Sequence, residues 1–336
     1  MYNERLPLYK KIEKLRKSKV LLYVTGDRRN LETKIHSEVA DFFADHLDTF
    51  RLPKKISLIL YSRGGDTLAG WMIVNMIRLF CEEFEVIIPS KAHSTATLIC
   101  LGADKIVMTK QATLGPIDPS ITTPLNPQVP GAPPMVRLPI SVEAVASYFE
   151  LAKNKKLMGL KEESNLTNVF LKLADQVHPL ALGDVYRART QIQMLAERLL
   201  NLHMKGNGNI KKIISVLCSE SGSHDYTINR REAAGDLNLP VEIPDNKFYK
   251  IIKDIHTDVR LELKLNESFE PDFELGVLPS KPYSATRALI ESTTGGSHKY
   301  STEGVLTRIQ IPSPAGQQPG VQVQGTFEGW RHEEIC

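Results

Sequence analysis

Between Val20 and Met108, short β-branched and apolar runs alternate with segments of helical period. No other feature of the chain constrains its fold as strongly. Residues 20–24, 56–61, 84–89 and 105–108 read as buried strands. Between them, 34–50, 68–81 and 94–102 read as helices; in the first, Ile35, Val39, Phe42, Phe43 and Leu47 recur at helical spacing. Strands separated by helices build βαβ units and a largely parallel sheet. Such sheets bind ligands at the carboxyl ends of their strands, so chemistry is expected in the connectors there.

Further along, 119–139 holds seven prolines and few periodic apolar positions. It reads as a loop, either a surface excursion or a segment that covers a site or meets a neighbouring subunit. Helices are expected at 141–158, 166–175, 180–202, 210–217 and 230–237. From 281 to 336 the chain is rich in Gly, Ser, Thr, Pro and Gln, and reads as short strands or disordered chain. Residues 1–19 carry Lys10, Lys11, Lys14, Arg16, Lys17 and Lys19 around Leu8, Ile12 and Leu15. That pattern is a basic amphipathic helix, either a solvated face or a weak contact with an anionic membrane surface.

Composition narrows function by exclusion. Lys+Arg at 42 against Asp+Glu at 39 leaves a net +3, too small for a nucleic-acid footprint. No apolar run reaches the ~18 residues of a membrane span, and the N-terminus lacks the apolar core of a secretory signal. Cys81, Cys100, Cys218 and Cys336 are scattered without a CxxC pair, so a disulfide framework or zinc site is not expected. The expected location is cytoplasmic, at most peripheral to a membrane. No GxGxxG follows a strand and the nine histidines form no HxxxH set, so no dinucleotide cofactor and no metal is expected.

Three connectors carry groups suited to chemistry. Ser62-Arg-Gly-Gly-Asp66 breaks the second strand. Gly64 and Gly65 permit positive φ and close backbone approach, so their amides can face a ligand oxygen; a plain turn is the alternative. Ser94 stands where 86–101 passes from strand into an apolar helix. A helix start favours developing negative charge, which suits a serine nucleophile and its oxyanion; taken alone, Ser94 reads first as an N-cap. Leu114-Gly-Pro-Ile-Asp-Pro119 is a rigid turn, with Asp118 a turn former.

In order and spacing, four blocks resemble the serine dehydrogenase proteinase family of the Clp protease/crotonase superfamily. They are Ser62-Arg-Gly-Gly-Asp66, Ala92-His-Ser-Thr-Ala-Thr97, Leu101-Gly-Ala-Asp-Lys-Ile-Val-Met108 and Leu114-Gly-Pro-Ile-Asp-Pro119. That family is related to signal peptide peptidase A and the NfeD-associated serine proteases. His178-Pro-Leu-Ala-Leu-Gly183 and His224-Asp-Tyr-Thr-Ile-Asn-Arg-Arg-Glu-Ala233 extend the resemblance over roughly residues 20–240. It implies an α/β fold, a ClpP/crotonase-like spiral of ββα units with added C-terminal helices. The implied organisation is a basic segment 1–19, a protease domain 20–240 and a partly irregular extension 241–336. The implied activity is that of a serine endopeptidase with no cofactor, acting on a peptide or protein as a homo-oligomer. Ser94 would attack, and the amides of Gly64, Gly65 and Thr95 would line the substrate strand and the oxyanion hole.

In the lysine-dependent relatives, the base lies on the helix after the Gly-Pro segment. The start of 141–158 has no lysine; Lys153, Lys155 and Lys156 come later, and Lys153 is the candidate base. Caseinolytic-type proteases use a histidine after the nucleophile helix, which 114–119 lacks. His93 adjoins Ser94 in a tight connector, where neighbouring side chains point apart. His178 and His224 read as capping or hydrogen-bonding residues. Where the family often has glycine after the nucleophile, this chain has Thr95-Ala96-Thr97. Two other functions suit the same fold: a binding or scaffold protein that has lost its base, and a crotonase-like acyl-CoA enzyme. The serine at the helix start argues against the second.

Overall fold

The apolar runs become the centre of one sheet. In the computed structural model, residues 1–117, 120–220, 223, 225–313 and 316–333 are described; Asp118, His224 and Cys336 lie outside them. The chain divides into two compact units, Met1–Leu114 with Ile228–Cys336, and Gly115–Thr227. This differs from a division at 19 and 240, because both ends of the chain join the first unit.

The first unit begins with α1 (Tyr2–Arg16), β1 (Lys19–Thr25), α2 (Ala40–Asp48), β2 (Lys55–Tyr61), α3 (Thr67–Phe80) and β3 (Glu83–Ile88). It continues through β4 (Lys91–Ala92), α4 (Thr95–Leu101), β5 (Lys105–Met108) and β6 (Thr113–Leu114). The second unit holds β7 (Ser120–Ile121), β8 (Ile140–Ser141), α5 (Val142–Lys153), α6 (Glu163–Ala174), α7 (Pro179–Leu200) and α8 (Ile210–Ser215). The first unit resumes with β9 (Ile228–Asn229), α9 (Arg230–Gly235), β10 (Val241–Glu242), α10 (Asn246–Glu262) and α11 (Pro271–Leu275). It ends with β11 (Ser280–Ser292), β12 (Gly296–Ser313) and β13 (Gly316–Glu333).

The large sheet has the order β10-β5-β3-β2-β1-β11-β12-β13. Each of β2, β3 and β5 adds in parallel to the edge left by the one before. All seven residues of β2 are buried, as expected for a parallel strand covered on both faces. After each long strand the chain makes a short stretch in a second sheet, β4-β6-β9. Bridges Ile35–Gly65 and Ser62–Ala92 continue that second layer toward β1 and β2. Long strand, short strand, helix is the repeating step, so the expected spiral of ββα units is present, and its turns meet at the carboxyl ends of β2 and β3.

The ends of the chain depart from expectation. The face of α1 bearing Tyr2, Tyr9 and Ile12 is buried with Phe248, Ile252, Ile255 and Val259 of α10, so it is part of the core and not free to meet a membrane. Arg5, fully buried, pairs with Asp258, with Glu262 at 2.6 Å and with Glu291 at 2.5 Å. The Gly/Ser/Thr-rich tail forms long strands. β11 pairs antiparallel with β1, and β12 and β13 follow as a hairpin.

In the second unit, Ile140, Val142, Ala181 and Val185 form a small core. The proline-rich segment is tied by buried Asn126, whose Nδ2 donates to Ile121 O at 2.7 Å and Leu138 O at 2.9 Å. His178 caps α7, its Nδ1 accepting from Leu180 N at 3.2 Å.

Buried histidines make the first unit sensitive to acid. His46 Nδ1 faces Ser292 Oγ at 2.7 Å and its Nε2 faces His298 Nδ1 at 3.0 Å. Burial, reinforced by the neighbouring His298 and His332, pushes His46 down to about 3. Burial and the nearby Arg260 and Lys91 push His256 down to about 4. Both values lie below that of an unfolded histidine, so the unfolded chain binds the extra protons. Stability is therefore intact above about pH 6.5 and falls as the pH drops below it. At pH 4.5 each histidine gives up about two units' worth, or roughly 5 kcal/mol for the pair as an upper figure. Thermal melts should fall by on the order of 10 °C between pH 7.5 and 4.5, and His256→Leu should flatten the slope. A melting temperature constant over that range would contradict the assignment.

Candidate active site

The carboxyl end of β2 supplies the first half of the site. Gly64 and Gly65 adopt φ of 109° and 155°, the positive values that two glycines after a strand permit. Ile35 N donates to Gly64 O at 2.9 Å, and Asp66 N donates to Ile35 O at 2.8 Å. These bonds turn one edge of the connector toward Ile35. The N–H and C=O of Gly65 itself then point to the other edge. Its carbonyl there accepts from Thr95 Oγ1 at 2.7 Å, so its amide also faces the side of α4. The Gly64 amide differs from expectation: it donates to Ser62 Oγ at 2.9 Å, and Ser62 Oγ is 2.6 Å from Thr25 Oγ1. Gly64 thus shapes the turn, while its amide is engaged within the protein.

The second half is the turn from β4 into α4. Ser94 is half-buried and adopts φ 54°, ψ −120°, a conformation that costs an L-residue on the order of 1–3 kcal/mol. Its side chain makes no cap hydrogen bond, so the reading of Ser94 as a simple N-cap does not hold. All seven residues of α4 are buried, which fixes the helix start under the serine. A Cβ on Gly64 would lie 2.6 Å from Ser94 Cβ and 3.0 Å from Ser94 Oγ, so only glycine lets the two connectors meet. Among the described residues the amides of Gly65 and Thr95 have no protein acceptor, as is usual for the first turn of a helix in the case of Thr95. A strained serine on a strand-to-helix turn beside unengaged amides is the local form that presents a nucleophile.

Three features were missed in the sequence. Thr95 and Thr97 act as struts: Thr95 Oγ1 donates to Gly65 O, and Thr97 Oγ1 donates to Ala92 O at 2.8 Å. Gly70 on α3 gives room to Thr95, whose Cγ2 would lie 2.5 Å from a Cβ there. Asp27, after β1, binds Lys91 Nζ and Tyr61 OH, each at 2.7 Å. Burial pushes the Asp27 carboxyl up, but those two partners overcome it and hold it below its usual range. This ion pair anchors β4 three residues before Ser94. His93 Nε2 lies 2.9 Å from Thr113 Oγ1. Lys153 is exposed on the last turn of α5, in the other unit. Among the described residues no group of three or more His, Cys, Asp or Glu is placed to hold a metal ion.

Residues 47–131, which include both connectors, match the family described as ClpP-like SDH-type serine proteinase. The match agrees with the resemblance carried by the Gly-Gly and His-Ser motifs. Two uncharacterized proteins of Methanocaldococcus jannaschii are similar to the chain. One is 31% identical over 196 residues, covering 56% of each protein. The other is 32% identical over 201 residues, covering 59% of this chain and 56% of its own. The chain thus spans little more than half the length of these curated relatives. Among solved structures, a membrane-bound stomatin-specific protease with a substrate peptide is 15% identical, with a TM-score of 0.40 over 73% of this chain and 81% of that one. ClpP1 from Listeria monocytogenes is 16% identical, with a TM-score of 0.36 over 70% of this chain and 96% of that one.

The strut predicts its own effect. Thr95→Val keeps the branched shape but leaves Gly65 O without its donor. That should lower kcat/KM about 10- to 100-fold, the cost of an unsatisfied group of roughly 1–3 kcal/mol. Thr95→Ser should restore most of the activity. Equal turnover in the valine and serine variants would show that the bond does not position Gly65.

Proposed function

We propose that this chain is a serine endopeptidase that forms an acyl-enzyme on Ser94. The observation that carries the reading is the strained Ser94 packed against Gly64, with the Gly65 and Thr95 amides without acceptors among the described residues. Ser94 Oγ attacks the scissile carbonyl carbon while its proton passes to the base. The carbonyl oxygen becomes an oxyanion that the amides of Gly65 and Thr95 stabilise. Collapse breaks the C–N bond, and the amine leaves with the proton. Water then attacks the ester in the same way, releasing the acid and restoring the serine.

Lys153 is the lysine this reading assigns to the proton transfer. A base lysine must be shielded from water to be neutral, and Lys153 is exposed in the single chain, so the role requires that substrate or a second subunit cover it. That exposure also favours the other reading, a ClpP-like scaffold without turnover. The acyl-CoA reading has less support, since Asp66, beside the glycines, caps α3 through Leu68 N at 2.9 Å. A fluorophosphonate probe separates the two remaining readings. Rapid labelling of the wild type, lost in Ser94→Ala and slowed at least 100-fold in Lys153→Met, supports the peptidase with this base. Rapid labelling unchanged by Lys153→Met moves the base elsewhere, and no labelling of the wild type supports the scaffold.

A further inference from the structure

The turn between α5 and α6 sets exposed aliphatic side chains among lysines. Residues 151–161 hold Lys153, Lys155, Lys156 and Lys161 together with Leu151, Leu157, Met158 and Leu160, and no acidic residue. The turn is closed by its own backbone. Asn154 O accepts from Leu157 N and Gly159 N, each at 2.9 Å, and Leu160 N donates to Ala152 O at 2.9 Å. Asn154 Oδ1 accepts from Lys156 N at 3.0 Å, and Gly159 takes φ +63°. The result is a fixed apex with Leu157 63% and Met158 60% exposed. All four lysines are exposed, and among the described residues none pairs with a carboxylate.

We propose that this apex seats the chain on an anionic membrane surface. Two unbranched or γ-branched aliphatic side chains at the tip can enter the headgroup–acyl boundary, while the ammonium groups of Lys155, Lys156 and Lys161 meet lipid phosphates. A protein partner fits the composition less well. Interface cores are depleted in lysine and anchored by aromatic residues and arginine, and 151–161 contains neither. Helix α1 is another basic element, with Lys10, Lys11 and Lys14 exposed, but its apolar face is buried and offers no wedge. No helix among the described residues is long and apolar enough to cross a membrane, so contact of this chain's helices is interfacial.

The test is sedimentation of the full chain with vesicles of phosphatidylcholine alone or with about one-third phosphatidylglycerol. Binding is expected only with the anionic lipid, and it should be released by high salt. Lys155→Gln/Lys156→Gln should weaken partitioning about 25-fold, since each lysine near such a surface is worth about fivefold. Leu157→Ser/Met158→Ser should also weaken it while leaving every charge in place. Lys10→Gln/Lys11→Gln should not change it. All three are surface changes, and unchanged thermal melts would confirm that the fold is intact. Binding that is absent, equal on neutral vesicles, or kept by either tip variant would overturn the proposal. So would a tip-dependent change of oligomeric state in gel filtration without vesicle binding, which would mark a protein interface instead.

Discussion

Ser94→Ala is expected to remove peptide and ester hydrolysis, with kcat falling by on the order of 10⁶, as when a nucleophile that works as a unit with its base is deleted. Its melting temperature should match the wild type. The reason is local: the Ser94 side chain makes no cap hydrogen bond, so alanine gives up no structural contact of that kind. Ser94→Gly separates strain from chemistry. It should be as inactive as the alanine variant, yet more stable than it by about 1 kcal/mol. Glycine relieves a φ of 54° that costs an L-residue roughly 1–3 kcal/mol, less the extra freedom it gives the unfolded chain. Turnover persisting in both variants would remove Ser94 from the reaction. A glycine variant less stable than the alanine variant would remove the strain argument.

What the sequence made legible follows burial on both faces. Strands expected at 20–24, 56–61, 84–89 and 105–108 differ by at most one residue at each end from β1, β2, β3 and β5, because a short, mostly apolar run bounded by turn residues reads as a strand covered on both faces. Helices α3, α4 and α7 were equally plain. The helix expected at 34–50 begins late, at Ser37 as a 3₁₀ turn, since Ile35 leaves the pattern to bridge Gly65. Its apolar side chain fits a helix face, and only the tertiary partner decides otherwise. The tail failed for a different reason. β12 and β13 are polar, Gly-containing strands whose stability comes from pairing along a hairpin, and pairing between distant segments leaves no periodic apolar signal. Helix α10 was missed although Phe248, Ile252, Ile255 and Val259 repeat at helical spacing behind the N-cap Asp245. Of the candidate site, the two connectors that hold Ser94, Gly64 and Gly65 are legible from residue type and order. The division of labour between the two glycines could not, because it depends on which amide Ser62 Oγ takes.

That division makes Gly65 the more demanding position. Gly65→Ala should lower both activity and stability, whereas a turn glycine with open space around it should lower stability alone. A Cβ at Gly65 would overlap the backbone N and O of Ile35, and its φ of 155° lies in a region that L-residues rarely adopt. The Ile35 segment must therefore shift, loosening the bonds Ile35 N to Gly64 O and Asp66 N to Ile35 O. Two weakened backbone bonds together with strain should cost about 2–4 kcal/mol. The same shift rotates the Gly65 peptide away from Thr95 Oγ1 and takes its amide off the position of the oxyanion. Losing one such donor costs about 10²–10³ in kcat. Gly131, with φ of 76° and nothing within 4 Å of a Cβ, is the control. Gly131→Ala should cost only about 1 kcal/mol in stability, with kcat/KM unchanged. The decisive measurement is kcat/KM per folded molecule, taken well below the melting transition of each variant. Wild-type specific activity in folded Gly65→Ala would mean that the Gly65 amide holds no oxyanion, leaving Thr95 alone to do so.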